Sequence, residues 1–229
     1  MSAATATAAA ATAFGALAVV LARGRAKQLK AEPQALIFDC DGTLLDTMPL
    51  WWPGWVTTCA KYGLRFSKRR FYAMAGTPVH IIFKTLAEEQ HVDIDIDEVM
   101  RFKKSQSRGK GCPARIAPVV DIALEAHRRG IPLAVASSGT RDAVRKHLEE
   151  AGILHLFGAV VTCEDVQHQK PHPQIYLEAA QRLGVPAARC RAFEDADLGM
   201  ESIRRAGMDA VDVRLMDGYP QPSFDDDDD

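Results

Sequence analysis

The sequence predicts an α/β fold: a parallel sheet with helices on both faces, and a helical insertion after the first strand. Three observations carry that expectation. Short apolar runs recur through residues 34–216, and most end in a polar or glycine cluster. Between them lie segments of helix length with apolar residues at helical spacing, and such alternation specifies parallel pairing with right-handed crossovers. After the first run, residues 49–112 show helical spacing without strand alternation.

The first strand is Ala35-Leu36-Ile37-Phe38, apolar throughout and therefore buried on both faces. It stops at Asp39-Cys40-Asp41-Gly42-Thr43, and Asp46-Thr47-Met48-Pro49 reads as a hinge. Leu50-Trp51-Trp52-Pro53-Gly54-Trp55 follows; its tryptophans read as a packing cluster in preference to a substrate wall. Val79, Ile82, Phe83 and Leu86 mark one helix of the insertion, and Ile96, Val99, Met100 and Lys103 another. The alternation resumes at Pro118, where Val119, Val120, Ile122, Ala123 and Ala126 mark a helix ending at Gly130. A strand Leu133–Ala136 then ends in Ser137-Ser138-Gly139-Thr140. A helix carrying Val144, His147, Leu148 and Ala151 closes at Gly152. A strand at 159–162, a helix at 173–183, a strand at 191–193, a helix at 198–206 and a last strand at 209–213 complete a Rossmann-like core.

Twenty-eight basic and 30 acidic residues leave a net charge of −2, which gives no footprint for nucleic acid. The charge is uneven. Residues 1–31 hold four cations (Arg23, Arg25, Lys27, Lys30) and no acid, while Asp225 to Asp229 form an acidic tail. The five cysteines are scattered without a CxxC pair, as in a reducing compartment. Cys40 reads as a small buried apolar residue pointing away from its aspartate neighbours. The leader, residues 1–33, has three readings. An acid-free, Thr-rich segment followed by arginines resembles a transit peptide, placing the chain in a chloroplast or mitochondrion. Its uncharged stretch, residues 3–22, alternatively gives membrane contact as an anchor. A disordered tail would leave the chain cytoplasmic.

The chemistry gathers where the strands end. Asp39 and Asp41 follow the first strand, Ser137 and Ser138 the second, and Glu194-Asp195 the strand at 191–193, with Lys170 in the loop Gln169–Pro173. Ligands of open α/β sheets bind at this carboxyl edge. Two neighbouring acids are costly to ionise together, and a cation resolves the cost; oxygen ligands favour Mg²⁺. Acids for a metal, with a hydroxyl and a lysine for phosphate oxygens, are what phosphoryl transfer requires. Each residue also has a plainer reading. Lys170 reads as a solvated loop lysine, Ser137–Thr140 as a helix N-cap, and Asp197 as a cap of the helix it precedes. His168 and His172 have a zinc-like spacing, but Pro171 and Pro173 break the helix that spacing needs. Thr77, His80 and Lys103 read either as substrate contacts or as solvated helix faces.

Taken together, Asp39-Cys40-Asp41-Gly42-Thr43, Ser137, Lys170 and Glu194-Asp195 resemble, in order, the four motifs of the haloacid dehalogenase superfamily. The insertion resembles the small α-helical cap of its β-phosphoglucomutase-like branch. Residues 193–200 and 206–213, with Gly76-Thr77-Pro78 and Arg101-Phe102-Lys103, are similar to bacterial sugar phosphatases acting on fructose 1-phosphate. The resemblance implies a core at 34–48 and 113–216, a cap at 49–112 and a tail at 217–229. It implies Asp39 as the nucleophile that forms an aspartyl-phosphate, and Asp41 as acid and then base. Ser137, Ser138 and Lys170 hold the phosphoryl oxygens. Asp39, Asp41 and Asp195 hold Mg²⁺, with Glu194 in support. Acid chemistry at Asp41 calls for a pKa raised relative to Asp39. The implied partner is a small phosphorylated metabolite, met under a lid contributed by Trp51, Thr77, His80 and Lys103. The mutase of this branch has a histidine where Trp51 stands, and its cap arginine has no counterpart near Gly76, which favours a phosphatase over a phosphosugar mutase. A non-catalytic binding module of the same fold is the reading from another class.

Overall fold

A computed structural model describes residues 32–106 and 111–224. The transit or anchor readings of 1–31 and the five terminal aspartates lie outside those residues. Among the described residues, no helix is long and apolar enough to cross a membrane.

Five parallel strands form the sheet: β1 (Ala35–Phe38), β4 (Leu133–Ala136), β5 (Ala159–Val161), β6 (Cys190–Glu194) and β7 (Asp209–Asp212). Two further strands, β2 (Leu45–Asp46) and β3 (Ala114–Arg115), pair antiparallel outside it. The sheet order is β5-β4-β1-β6-β7, so β1 is central. Phe38 lies beside Val135 on one side and Phe193 on the other. The chain moves outward from β1 to β4 and β5, then returns across it to β6 and β7. Direction therefore reverses at the carboxyl end of β1, where a doubly wound sheet opens its binding crevice.

β1 has no polar face because both of its faces are covered. Leu36 and Phe38 join Leu133, Val135 and Phe193 under α5 (Ala117–Arg128) and α6 (Arg141–Glu150). Ala35 and Ile37 join Ala134, Ala136 and Ala192 under α7 (Gln174–Leu183) and α8 (Asp197–Arg205). Phe38 stacks on Phe193 at 4.6 Å between ring centres. Ile37 and Phe38 are fully buried, which contributes roughly 2–3 kcal/mol for each side chain.

Between β2 and β3 the chain forms four helices: α1 (Met48–Lys61), α2 (Lys68–Ala73), α3 (Val79–Gln90) and α4 (Ile96–Gln106). They enclose a separate apolar core of Trp55, Cys59, Phe71, Phe83, Leu86 and Val99. The hinge expected at 46–49 is shorter than the sequence suggested. β2 ends at Asp46, α1 begins at Met48, and Pro49 occupies the first turn, where a missing N–H costs nothing. The β2–β3 ribbon was not expected. Its two-residue strands carry too little pattern to read, and it ties both ends of the helical layer together.

Candidate active site

Asp39 extends β1 by one residue: its N–H donates to the Phe193 carbonyl at 3.0 Å. The chain then turns tightly, with Leu44 and Leu45 N–H groups donating to the Cys40 carbonyl at 3.1 and 3.0 Å. Gly42 makes the turn, at φ +87°, and a Cβ there would lie 2.2 Å from Asp195 Oδ2. No side chain fits between the two loops. Thr43 Oγ1 donates to Asp195 Oδ1 at 2.9 Å, so the first loop positions the acid of the last one. Cys40 is buried in the core, away from the acids' cavity, as its spacing implied.

Lys170 is the hub. Its side chain is 7% exposed, and its Nζ donates to Asp39 Oδ1 at 2.6 Å and to Glu194 Oε2 at 2.7 Å. The solvated-loop reading of this lysine is therefore wrong. Glu194 Oε2 also accepts from the buried Tyr176 hydroxyl at 2.6 Å. Its Oε1 accepts from the Asp195 and Ala196 N–H groups at 3.2 and 3.1 Å. Gly199 gives this carboxylate room, because a Cβ there would lie 2.0 Å from Oε2. Ser137 Oγ accepts from the Gly139 N–H at 3.0 Å and donates to Asp41 Oδ2 at 3.4 Å. It does not cap α6, whose N-cap is Thr140. The second oxygen of Asp41, Oδ1, is buried without a protein partner, as is the Thr47 hydroxyl.

These groups meet at a cavity of about 130 Å³. Asp39, Asp41, Ser137, Ser138, Lys170, Glu194 and Asp195 line it from the sheet edge, and Met48, Trp51, Ala75 and Gly76 from the helical side. Four carboxylates there face one ammonium. Burial pushes Asp39 well above the usual carboxylate range; Glu194, Asp195 and Asp41 add to this and Lys170 opposes it. Asp195 is pushed up to about 7, by burial and then Glu194, against the Thr43 hydrogen bond and Lys170. For Lys170, burial alone would disfavour the charge, but Asp39 and Glu194 outweigh it and hold the pKa well above the ordinary value. On protein charges alone, elevation falls on Asp39 and Asp195. An oxygen-only donor set fits a hard divalent cation: carboxylate oxygens of Asp39, Glu194 and Asp195 lie within 4.8 Å of one another, beside the unpartnered Asp41 Oδ1. Such an ion reverses the pKa logic of the acids around it.

The cap residues divide. All three tryptophans belong to the apolar core of the helical layer, as a packing cluster implied: Trp52 and Trp55 pack on Phe66 and Phe71, and Trp51 also lines the cavity and sets its ring 5.9 Å from that of His147 on α6. Thr77 lines an adjoining cleft of about 330 Å³. His80 is exposed on α3 and lines neither space. Lys103 is no solvated residue: it is buried, with Nζ 5.7 and 5.1 Å from the ring centres of Trp51 and Trp55, and lines neither space. Asp197 does not cap α8, whose N-cap is Ala196; it pairs with Arg214 at 2.7 Å. His168 and His172 are neighbours, with rings 4.6 Å apart, but among the described residues they form no cluster with a third metal-ligating group. Sequence reading missed Thr47, His147 and Tyr176. Tyr176 lies on the buried face of α7, where an aromatic residue signals only packing.

The family model for haloacid dehalogenase-like hydrolases matches residues 36–213. Fructose-1-phosphate phosphatase YqaB of Escherichia coli (strain K12) is 38% identical over 182 residues, covering 79% of this chain and 96% of that protein. A mutant of CbbY from Rhodobacter sphaeroides, solved in complex with xylulose-(1,5)bisphosphate, is similar at TM-score 0.65 and 26% identity, over 78% of this chain and 84% of that one. β-Phosphoglucomutase from Clostridium difficile shares the fold at TM-score 0.65 and 19% identity, over 79% and 84%. Matched from the central strand to the last, the chain belongs to the haloacid dehalogenase-like hydrolase family.

Proposed function

We propose that this hydrolase is a Mg²⁺-dependent phosphatase acting on a small phosphate ester, a sugar phosphate, through an aspartyl-phosphate on Asp39. The observation that carries the reading is Lys170, held between Asp39 and Glu194 at 2.6 and 2.7 Å at the cavity that also takes Asp41 and Ser137. An ammonium there screens a dianionic phosphate from the carboxylate that must approach it. A carboxylate oxygen of Asp39 attacks phosphorus as the bond to the ester oxygen breaks. Asp41 gives that oxygen its proton, then takes one from the water that releases phosphate from Asp39. Ser137, Ser138 and Lys170 hold the phosphoryl oxygens. Asp39, Asp195 and the Asp41 main chain would hold Mg²⁺, which supplies charge neutralisation at phosphorus when bound. Glu194 supports it by orienting Lys170.

Residues 49–112 serve as the cap and 34–48 with 113–216 as the core. The sugar reading draws on the fructose-1-phosphate phosphatase relative. Trp51, in the mutase histidine's place, gives no acid or base for re-presenting an intermediate, which supports hydrolysis. The test is phosphate release from fructose 1-phosphate, β-glucose 1-phosphate, phosphoglycolate and glycerol 3-phosphate. Release with Mg²⁺, its loss on chelation, and a drop of at least ~1,000-fold in Asp39→Asn with unchanged thermal stability are expected. Folded protein that releases nothing from any of these esters would refute the reading.

A further inference from the structure

The family match stops at residue 213, yet the described chain runs on to Phe224 and does so in contact with both halves of the site. Its start is pinned by Arg214. One guanidinium nitrogen lies 2.7 Å from both Asp197 and Asp212, and Nε donates to Asp212 at 2.9 Å. A turn closed by the Tyr219 N–H on the Met216 carbonyl, at 3.1 Å, brings the chain back toward the sheet edge. There the Tyr219 hydroxyl donates to the Gly42 carbonyl at 2.7 Å, across 177 positions of sequence. Gly42 follows Asp41 directly, abuts Asp195, and leads through β2 into α1. Fixing its carbonyl fixes the loop that carries one catalytic acid and leans on another.

Beyond Tyr219 the segment reaches the helical cap. Phe224 sets its edge on Tyr72 at 5.7 Å, and the Arg69 guanidinium lies 4.8 Å over its ring. Arg69 belongs to α2, where Tyr72 also lies. Between the two aromatic anchors, Pro220 and Pro222 restrict the backbone, so ordering the connection costs less entropy than it would for other residues. Pro220, Gln221 and Pro222 wall the cleft of about 330 Å³. That cleft adjoins the catalytic cavity: Met48, Ala75, Asp195 and Ala196 line both. A leaving group too large for the smaller space has the larger one beside it. The polar groups there (Thr77, Asp46, Gln221) suit a hydroxyl-rich one.

We propose that residues 217–224 are a strap joining core to cap and walling the leaving-group side of the cleft, with Tyr219 a positioning residue for the Gly42 loop and Phe224 the anchor on the cap. The strap makes six-carbon polyol and sugar phosphates better substrates than short esters. This rests on the phosphatase reading, so one of the two measurements needs no substrate. In the full chain, amide hydrogen exchange is compared for wild type, Tyr219→Phe and Phe224→Ala. Tyr219→Phe speeds exchange in residues 42–46, and Phe224→Ala speeds it in 68–73, each without changing the slowest amides of β1. Kinetics then separate the roles. Tyr219→Phe lowers kcat for fructose 1-phosphate and glycerol 3-phosphate alike by about fivefold, the scale of one hydrogen bond. Phe224→Ala raises KM about fivefold for the hexose ester and leaves the short ester within twofold. Unchanged exchange in both segments would overturn the strap, and exchange shifts without any change in ester preference would overturn its part in selection. If wild type releases no phosphate at all, the phosphatase reading fails while the exchange data still judge the strap.

Discussion

Two buried lysines set the core against the cap. Lys170 lies within 2.7 Å of two carboxylates at the sheet edge, while Lys103 lies 5.1 and 5.7 Å from the ring centres of Trp55 and Trp51. Burial opposes the charge of both. The carboxylates reverse that opposition for Lys170 and hold its pKa well above the ordinary value. Lys103 is lowered to about 8 by burial, with only a small opposing effect from Cys59. The difference separates two tasks. Short ionic contacts fix the reacting groups in one geometry, which a phosphoryl transfer needs. Aromatic faces give a cation a weaker and less directional contact.

The comparison breaks most visibly if Lys170 loses its charge. Lys170→Met keeps the volume but leaves Asp39 and Glu194 buried together without their cation. We expect phosphatase activity to fall at least ~100-fold, because the phosphate meets an unscreened carboxylate. We also expect destabilisation of about 3–5 kcal/mol at neutral pH. That deficit should shrink on acidification, when the stranded acids take up protons. Urea titrations at pH 7 and pH 5 with a phosphate-release assay test this. A variant within tenfold of wild type, with the same midpoint at both pH values, would show that the contacts are incidental.

Trp51 sharpens the comparison, because it belongs to the cap and lines the core's cavity. Trp51→Ala removes a half-buried wall that touches His147 across the cleft. The expected cost in stability is about 1–2 kcal/mol, below that of a fully buried tryptophan. The expected kinetic signature is a KM raised about tenfold with kcat changed less, since on the proposed reading the residue meets the leaving group and not the reacting atoms. A fall in kcat at unchanged KM would instead make Trp51 part of the chemistry.

The same division explains what could be read from sequence. Asp39, Asp41 and Asp195 were legible because strand ends are marked by an apolar run that stops at polar residues, and a parallel sheet brings such ends together. The central strand, and the sheet strands and helices from Pro118 onward, were visible for the same reason. Lys170 and Ser137 were individually ambiguous, and only their sheet-edge company separated them from a loop lysine and a helix cap. Tyr176 was not legible, and Trp51 was singled out by the family resemblance and not by its spacing. Each sits at an aromatic position whose spacing reports burial, and spacing does not say whether a hydroxyl meets a carboxylate or a ring faces a cavity. Lys103 misled in the opposite direction: a lysine on a helix reads as solvent-facing, and its burial depends on how α1 crosses α4. The strap was invisible because Tyr219 and Gly42 are joined only by tertiary contact.

The pH dependence of stability tests whether the helical layer carries Lys103 at a cost. In the fold this lysine titrates near 8, and in the unfolded chain near its ordinary value of about 10.4. Below pH 8 both forms are charged and the penalty of burying the charge is fully present. Between pH 8 and about 10.4 the folded protein has lost the proton and the unfolded chain still holds it, so stability rises through that window. Lys103→Met removes the group and with it that rise. The variant should therefore be more stable than wild type by about 3 kcal/mol at pH 7, and the two should converge by about pH 10. Urea midpoints for both proteins at half-unit steps from pH 7 to 10 read the difference directly, since every other titrating group is common to both. Parallel curves would mean that Lys103 keeps its charge at no cost, and the cap would then resemble the core more closely than its aromatic setting implies.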